Sequence, residues 1–275
     1  MTRMFDRLGF MQGRLSPLVN KRIQAFPHNH WREEFSLAKQ LNLSKIEWTI
    51  DSQEIENNPL INESGWKEVR ELLKLSSITV PSVTCDYFME NPFWQGDKGK
   101  IKNYLSRIML GMYAIGANIL VIPLVDNSSI GRTDKFDCED FSSLTSVMLE
   151  TKVRIAFEVD LNPIDTLEFI SCFDSNIFGI NYDIGNSAAL GFDPVHELAS
   201  YGDRVINVHV KDRELHGNTV RLGNGAAKFQ NVTSRLCDLN YQGNYIFQTA
   251  RASNGNHFEE LQMNIKFFSS ILARL

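Results

Sequence analysis

Five polar side chains stand at or near the ends of short apolar runs of the sequence. Such positions are expected to be buried, and a buried polar group needs a partner. They are Glu47, Glu158, Asp183, His209 and Gln248. Burying such groups is costly unless they pair with one another or bind a ligand. Carboxylate, imidazole and amide donors suit Mn²⁺, Mg²⁺, Co²⁺ or Zn²⁺, and no cysteine belongs to the set. If the fold brings them together, we expect Glu158, Asp183, His209 and Gln248 to bind one divalent metal ion.

Each of these residues also has an ordinary structural interpretation. A single histidine such as His209 can be a hydrogen-bonded core residue, and a single acid at a strand end can cap a helix. The metal hypothesis therefore depends on the elements that carry them. Short apolar runs, predicted as strands, alternate with helical patterns along the whole chain. The predicted strands are 7–11, 45–48, 79–84, 119–123, 154–158, 178–183, 205–210 and 245–248. The predicted helices are 30–41, 64–75, 99–115, 138–151, 163–173, 194–200, 228–239 and 258–273.

This alternation predicts a parallel sheet, because parallel strands need long crossover connections. Eight repeats in 275 residues match an α/β protein with a single (β/α)8 TIM barrel domain spanning 1–275. A doubly wound open sheet is the main alternative, but no GxGxxG loop follows the first strand to support a dinucleotide-binding version of it. In a barrel, the carboxyl ends of the strands meet at one face, and the five polar residues would meet there too.

Composition limits the class of protein. Apolar residues make up 43% and charged residues 22%, as in soluble globular chains, and the net charge of −5 disfavours nucleic acid as a partner. Four well-separated cysteines and an N-terminus without a signal-like apolar core predict buried, reduced thiols and a cytoplasmic location. The uncharged run 108–125 is interrupted at Gly116, which predicts a helix end and a buried strand, not a membrane span.

An ordered series of motifs resembles the xylose isomerase-like TIM barrels, the sugar phosphate isomerase/epimerase family that includes ketose 3-epimerases. The resemblance covers nearly the whole chain. The motifs are Gly9-Phe10-Met11-Gln12-Gly13-Arg14, Ile46-Glu47-Trp48, Phe157-Glu158, Tyr182-Asp183-Ile184-Gly185-Asn186, Val208-His209-Val210-Lys211-Asp212, Leu222-Gly223-Asn224-Gly225 and Tyr241-Gln242-Gly243. It implies a metal-dependent isomerase or epimerase in which Glu158, Asp183 and His209 hold the metal. The fourth family ligand is a glutamate, and this chain has Gln248 there.

The glutamine matters because family epimerases use two metal-bound glutamates on opposite faces of the sugar. An amide oxygen can coordinate a metal, but the amide cannot act as a proton base, so Glu158 remains as one base. Three interpretations stay open. Glu47 or Lys211 supplies the second acid or base and epimerisation survives; a single base performs isomerisation or assists an elimination; or the protein binds a sugar with weak or no catalysis.

Basic side chains are predicted near the same face and suggest an anionic substrate. Arg14, Lys211, Arg213 and Arg251 follow strands one, seven and eight, and Gly223-Asn224-Gly225 could bind phosphate through backbone N–H groups. With Asn186 and Trp48 they are the candidate contacts for a carbohydrate that is phosphorylated or carboxylated. The alternative is that Lys211 and Arg213 pair with Asp212 and Glu214, and that the glycines form only a turn.

A different class of activity is known on the same fold, namely metal-dependent endonucleases acting on abasic DNA. These need several metals and many histidines, whereas this chain has six histidines and a negative net charge. We therefore expect a small-molecule carbohydrate as the partner, with no nucleic acid and no membrane. A homo-oligomer is an expectation from the resemblance alone.

Overall fold

Eight parallel strands close into one barrel in the computed structural model, which describes residues 5–133 and 136–275. The strands are Leu8–Met11 (β1), Ile46–Ile50 (β2), Ser82–Cys85 (β3), Ile119–Leu124 (β4), Arg154–Val159 (β5), Phe178–Asp183 (β6), Val205–Val210 (β7) and Tyr245–Phe247 (β8). They follow chain order around the barrel, and β1 pairs with β8 to close it. The predicted (β/α)8 TIM barrel is confirmed.

Helices cover the outside of the barrel and join its strands. They are Glu33–Gln40 (α1), Glu63–Ser76 (α2), Tyr87–Glu90 (α3), Lys98–Ile115 (α4), Thr145–Thr151 (α5), Pro163–Ser171 (α6), Ile184–Ala189 (α7), Pro194–Tyr201 (α8), Phe229–Asp238 (α9) and His257–Leu272 (α10). Short 3-10 turns at Ile55–Asn57, Pro59–Ile61, Asp126–Ser128, Ile130–Arg132, Cys138–Leu144 and Gly202–Arg204 complete the connections.

Helix boundaries follow their capping residues. The Asn162 and Asp193 side chains accept backbone N–H groups in front of helix-opening prolines, as the sequence predicts for α6 and α8. Helix α4 ends at Gly116, whose φ of 82° is left-handed, and β4 begins three residues later, so the uncharged run 108–125 is two elements. No helix in the described part of the chain is long and apolar enough to cross a bilayer.

Several predicted boundaries are wrong, and one changes the position of a candidate residue. Strand β2 continues to Ile50, so Glu47 lies within the strand and inside the barrel, not at its rim. The helix predicted over 138–151 is a 3-10 turn up to Leu144 and α-helical only afterwards. All four cysteines are free thiols, but only Cys85 is buried.

A β-bulge aligns the polar side chains of β6 and β7. Ile180 pairs with Val205, but the next pair is Asn181 with Asn207, so one residue of β7 is skipped. Such a bulge re-aims the side chains that follow it. As a result, Asp183 stands opposite His209 and the two asparagines stand opposite each other one step deeper in the barrel. This register creates the polar interior described below.

Close packing of α4 on the 3-10 turn Pro59–Ile61 gives a test of the fold. A Cβ atom at Gly111 would lie 2.2 Å from the Leu60 carbonyl oxygen, and backbone cannot yield as a side chain can. We expect Gly111→Ala to lower the free energy of unfolding by about 1–3 kcal/mol, as overpacking does. Denaturant unfolding would measure this. Asn103→Ala on the exposed face of α4 is the control and should change stability by less than about 0.5 kcal/mol; an equal effect of the two substitutions would contradict the packing argument.

Candidate metal centre and substrate cavity

Three of the predicted metal ligands converge at the carboxyl ends of β5, β6 and β7. Glu158, Asp183 and His209 each offer one ligand atom, and these atoms lie within 4.8 Å of one another. His209 Nδ1 is 3.2 Å from Glu158 Oε2 and 4.0 Å from Asp183 Oδ2. Ligand atoms of one small divalent cation are separated by roughly 3–4 Å, given bonds of about 2.1 Å. The three side chains therefore fit a single divalent metal ion.

Glu47 fixes the orientation of the His209 ring. Its Oε1 lies 2.7 Å from His209 Nε2, and both side chains are fully buried. When the ring is neutral, an Nε2–H that donates to Glu47 leaves a lone pair on Nδ1, which lies 3.0 Å from Asn181 Nδ2 and faces Glu158 and Asp183. Burial lowers the pKa of His209, but the charges of Glu47 and Glu158 and their hydrogen bonds outweigh burial and raise it to about 10. The centre thus favours positive charge.

Glu47 itself is held by four hydrogen bonds. It accepts from Ser82 Oγ at 2.7 Å, Thr84 Oγ1 at 2.6 Å and Asn207 Nδ2 at 2.9 Å in addition to His209. Burial raises the pKa of Glu47, but the charge and hydrogen bonds of its partners outweigh burial and lower it. The structure therefore places this carboxylate beneath the candidate metal centre, with each of these hydrogen bonds made to a protein side chain.

Two asparagines hold the Glu158 carboxylate from the β6 side. Asn181 Nδ2 is 2.7 Å from Glu158 Oε2, and Asn186 Nδ2 is 2.7 Å from Oε1. Asn207 Nδ2 donates to Asn181 Oδ1 at 3.0 Å and links this pair to Glu47. Because both Glu158 oxygens accept a hydrogen bond, the carboxylate is fixed in one orientation at the cavity.

The Gln248 amide uses its nitrogen, but not its oxygen, in hydrogen bonds within the described residues. Its Nε2 donates to Gln24 Oε1 at 2.8 Å, while its Oε1 is buried and has no hydrogen-bond partner among the described residues. A buried amide oxygen without a partner is unfavourable unless it binds a ligand. This orphan oxygen, lining the same cavity as Glu158, fits the proposed fourth metal ligand.

A cavity of about 350 Å³ opens above the centre, with a volume suited to a small ligand. Side chains from strand ends and from the loops that follow the strands line it, including Gln24, Asp86, Glu158, Lys211, Arg213 and Gln248. Lys211 Nζ lies 3.0 Å from Asn186 Oδ1 and 3.4 Å from Asp183 Oδ2. Arg213 Nη1 donates to the same asparagine oxygen at 3.0 Å, so these three predicted site residues come together at the cavity.

The other predicted substrate contacts lie outside this cavity. Trp48 is fully buried against Phe26 and Trp31, and its Nε1 donates to Asn58 Oδ1 at 3.0 Å. Successive side chains of a strand point to opposite faces, so Trp48 faces the core between barrel and helices while Glu47 faces the barrel interior.

The two arginines brace the loop that follows β1. Arg14 donates to the Ile23 carbonyl and to Gln24 Oε1, and Arg251 donates to the Ser16 carbonyl. Burial lowers the pKa of Arg14 to about 9 and that of Arg251 to about 10. Through this loop they position Gln24 at the cavity.

The glycine-rich loop after β7 uses its N–H groups within the protein. Gly223 and Gly225 donate to Asp212 Oδ2 at 2.8 and 2.9 Å, and Ala227 donates to Oδ1 at 3.1 Å. These N–H groups are occupied by Asp212 and are not free to bind an anion. The loop instead closes over a two-residue antiparallel ladder between Asp212–Arg213 and Thr219–Val220.

Four residues of the site were not singled out by sequence reasoning. Asn181 and Asn207 are polar residues inside buried strands, and that was a usable signal. Asp86 directly follows β3, which extends to Cys85, one residue beyond the predicted strand end at 84. Gln24 stands in a long loop, and no pattern in the sequence indicates its contact with Gln248.

The comparisons with known proteins agree with this fold. The family model described as "Xylose isomerase-like TIM barrel" matches residues 35–270. The chain belongs to this family. No curated protein matches the sequence.

Solved structures with the same fold include sugar epimerases. D-Psicose 3-epimerase from Clostridium cellulolyticum H10, solved with D-tagatose, is 12% identical with a TM-score of 0.72 over 97% of this chain and 99% of its own. The 3-keto-D-glucoside 4-epimerase of E. coli is 16% identical with a TM-score of 0.68 over 96% and 99%. A xylose isomerase-like protein from Mycobacterium smegmatis, in complex with magnesium, is 16% identical with a TM-score of 0.66 over 96% and 97%.

The anchoring role of Asp212 gives a second test. Removing the carboxylate with Asp212→Ala leaves three loop N–H groups without their acceptor, and we expect a loss of about 1.5–3 kcal/mol in stability. The amides of Gly223, Gly225 and Ala227 should then exchange with solvent faster, as hydrogen-exchange NMR would show. Asp238→Ala, at an exposed position on α9, should leave them unchanged. Unaltered exchange at these amides in Asp212→Ala would contradict the assignment.

Proposed function

We propose that this protein is a divalent-metal-dependent sugar isomerase or epimerase. The observation that carries the proposal is the cluster of Glu158, Asp183 and His209 beside a cavity that is lined by Glu158 and by Gln248, whose amide oxygen is unpartnered among the described residues. Family membership and the epimerases among the solved neighbours support a carbohydrate with a carbonyl group as the substrate class.

Glu158 is the base in this proposal. Its carboxylate lines the cavity, and Asn181 and Asn186 fix its orientation, so it can take a proton from the carbon next to a sugar carbonyl. The electron pair left by that proton forms an enediolate. When bound to Glu158, Asp183, His209 and Gln248, a divalent cation such as Mn²⁺, Mg²⁺, Co²⁺ or Zn²⁺ supplies positive charge that polarises the carbonyl.

The remaining residues bind and orient the sugar. Lys211 and Arg213 present positive charge at the cavity, and Asn186 ties both to Glu158. Glu47 acts here as a positioning residue, because its oxygens bond only to protein groups beneath the centre. Gln248 contributes its oxygen but no proton transfer.

An isotope-exchange experiment tests the function. The protein is incubated in D₂O with Mn²⁺ and, separately, D-fructose, D-tagatose and D-psicose and their phosphates. We expect deuterium next to the carbonyl of at least one sugar, and Glu158→Gln should lower its rate by roughly 10²–10⁴-fold, the usual contribution of a general base. NMR and mass spectrometry measure both. Glu168→Gln, exposed on α6, is the matched control. Sugar-dependent stabilisation without any exchange would instead indicate a binding protein, and three bound metals per chain would indicate an endonuclease.

The role of Glu47 has its own test. In Glu47→Gln the amide nitrogen can face His209 Nε2, which favours the ring form that carries its proton on Nδ1 and removes the metal-binding lone pair. We expect Mn²⁺ affinity to fall by about 10–100-fold, as for loss of a carboxylate behind a metal-bound histidine. Isothermal titration of the folded variant measures this, with exposed Glu71→Gln on α2 as control. Wild-type affinity in Glu47→Gln would overturn the positioning role.

A further inference from the structure

A second buried carboxylate lines the same cavity as Glu158. Asp86 directly follows β3, is 6% exposed and borders the cavity together with Gln24 and Gln248. Two other acids of the described residues also line it, but Asp126 is exposed and Asp160 accepts a hydrogen bond from Ser129 Oγ at 2.7 Å. Asp86 and Glu158 are thus the buried acids among the described residues that line this cavity.

The position of Asp86 relative to Glu158 follows from the barrel. Asp86 follows β3 and Glu158 lies on β5, with β4 between them, while the asparagines that hold Glu158 come from β6 and the helix α7 that follows it, on the other side. A ligand in the cavity therefore meets the two carboxyl groups from different directions. The two groups are close enough for the Glu158 charge to raise the pKa of Asp86.

A chain of amide hydrogen bonds connects Asp86 with the glutamine at the end of β8. Gln248 Nε2 donates to Gln24 Oε1, and Gln24 Nε2 donates to Asp86 Oδ2. In residues 5–133 and 136–275 no other side chain forms a hydrogen bond with this carboxyl. Its second oxygen is therefore available to a ligand, while Gln24 holds the first.

We propose that Asp86 is the second proton-transfer residue of this site and does what the amide of Gln248 cannot do. This inference rests on the proposed function, since it assigns the partner of Glu158 in the same reaction. Asp86 replaces Glu47 and Lys211, the candidates from the sequence, in this role. The Glu47 carboxylate is hydrogen-bonded to His209 beneath the candidate metal centre, and the Lys211 ammonium is hydrogen-bonded to Asp183 and Asn186.

The proposed reaction has two balanced proton transfers. Glu158 carboxylate takes the proton from the carbon beside the carbonyl, and the C–H electron pair enters the enediolate. Asp86 carboxylic acid then gives its proton to the same carbon from the other side, where the enediolate electron pair forms the new C–H bond and the carbonyl is restored. Glu158 ends protonated and Asp86 ionised; exchange with water returns both to the starting state, and the reverse reaction uses them in exchanged roles.

The surroundings of Asp86 suit this exchange of roles. Burial raises the pKa of Asp86 to about 7, the charges of Glu158 and Asp51 add to this, and the hydrogen bond from Gln24 opposes it. A carboxyl group with a pKa near the working pH is present in both forms and can give or take a proton.

The test separates inversion of configuration from isotope exchange. Wild type and Asp86→Asn are incubated in D₂O with Mn²⁺ and each ketose that the wild type accepts from D-fructose, D-tagatose, D-psicose and their phosphates. In Asp86→Asn we expect inversion to fall by roughly 10²–10⁴-fold. Deuterium should still enter the recovered, uninverted sugar within about tenfold of the wild-type rate, because Glu158 alone can remove a proton and return a deuteron.

Matched variants separate catalysis from folding. Asp86→Glu keeps the carboxyl group and should retain inversion, and Asp238→Asn on exposed α9 should behave as wild type. Asp86→Ser provides the same comparison if Asp86→Asn does not fold. Unchanged inversion in the folded Asn or Ser variant would overturn the role of Asp86 and leave the proposed function standing. An equal loss of exchange and inversion that Asp86→Glu does not restore would also overturn it. Absence of exchange in the wild type would overturn the proposed function itself.

Discussion

The buried contact between Glu47 and His209 is the interaction on which the arrangement of the site depends. The two residues belong to β2 and β7, three strands apart around the ring, so their 2.7 Å contact crosses the barrel interior. A buried carboxylate and imidazole are tolerated only when hydrogen bonds satisfy them, and Ser82, Thr84 and Asn207 do so. The contact therefore orients one proposed metal ligand, His209, and joins strands on different sides of the barrel.

From this contact the polar network extends upward to the cavity. Asn207 links Glu47 to Asn181, Asn181 reaches Glu158, and Asn186 joins Glu158 to Lys211. Each step is a hydrogen bond between side chains, so the orientation of Glu158, the proposed base, depends partly on Asn181 and Asn207, which do not line the cavity. Because these hydrogen bonds fix the orientations of several buried side chains together, this interior favours one geometry of the site.

The loop after β1 carries Gln24, which contacts Gln248 and Asp86 at the cavity. Arg14, Arg251 and Glu34 hold this loop; the Glu34 carboxylate accepts the N–H groups of Gly13 and Leu15. The loop carries Gln24 to a point where it orients Gln248 and also contacts Asp86. Gln248, an amide where the family resemblance implies a glutamate, is thus linked through Gln24 to a buried acid, Asp86.

The sequence by itself determined the barrel and the strand order, and it indicated the three side chains, Glu158, Asp183 and His209, that cluster at the strand ends, because apolar runs and polar strand ends are local patterns. It could not determine that Glu47 lies beneath His209, since this needs the extension of β2 and the bulge that pairs Asn181 with Asn207. It also could not place Trp48 in the core or bring Gln24 to Gln248, residues 224 positions apart. Those contacts arise only when the closed barrel sets the register and brings distant loops to one face.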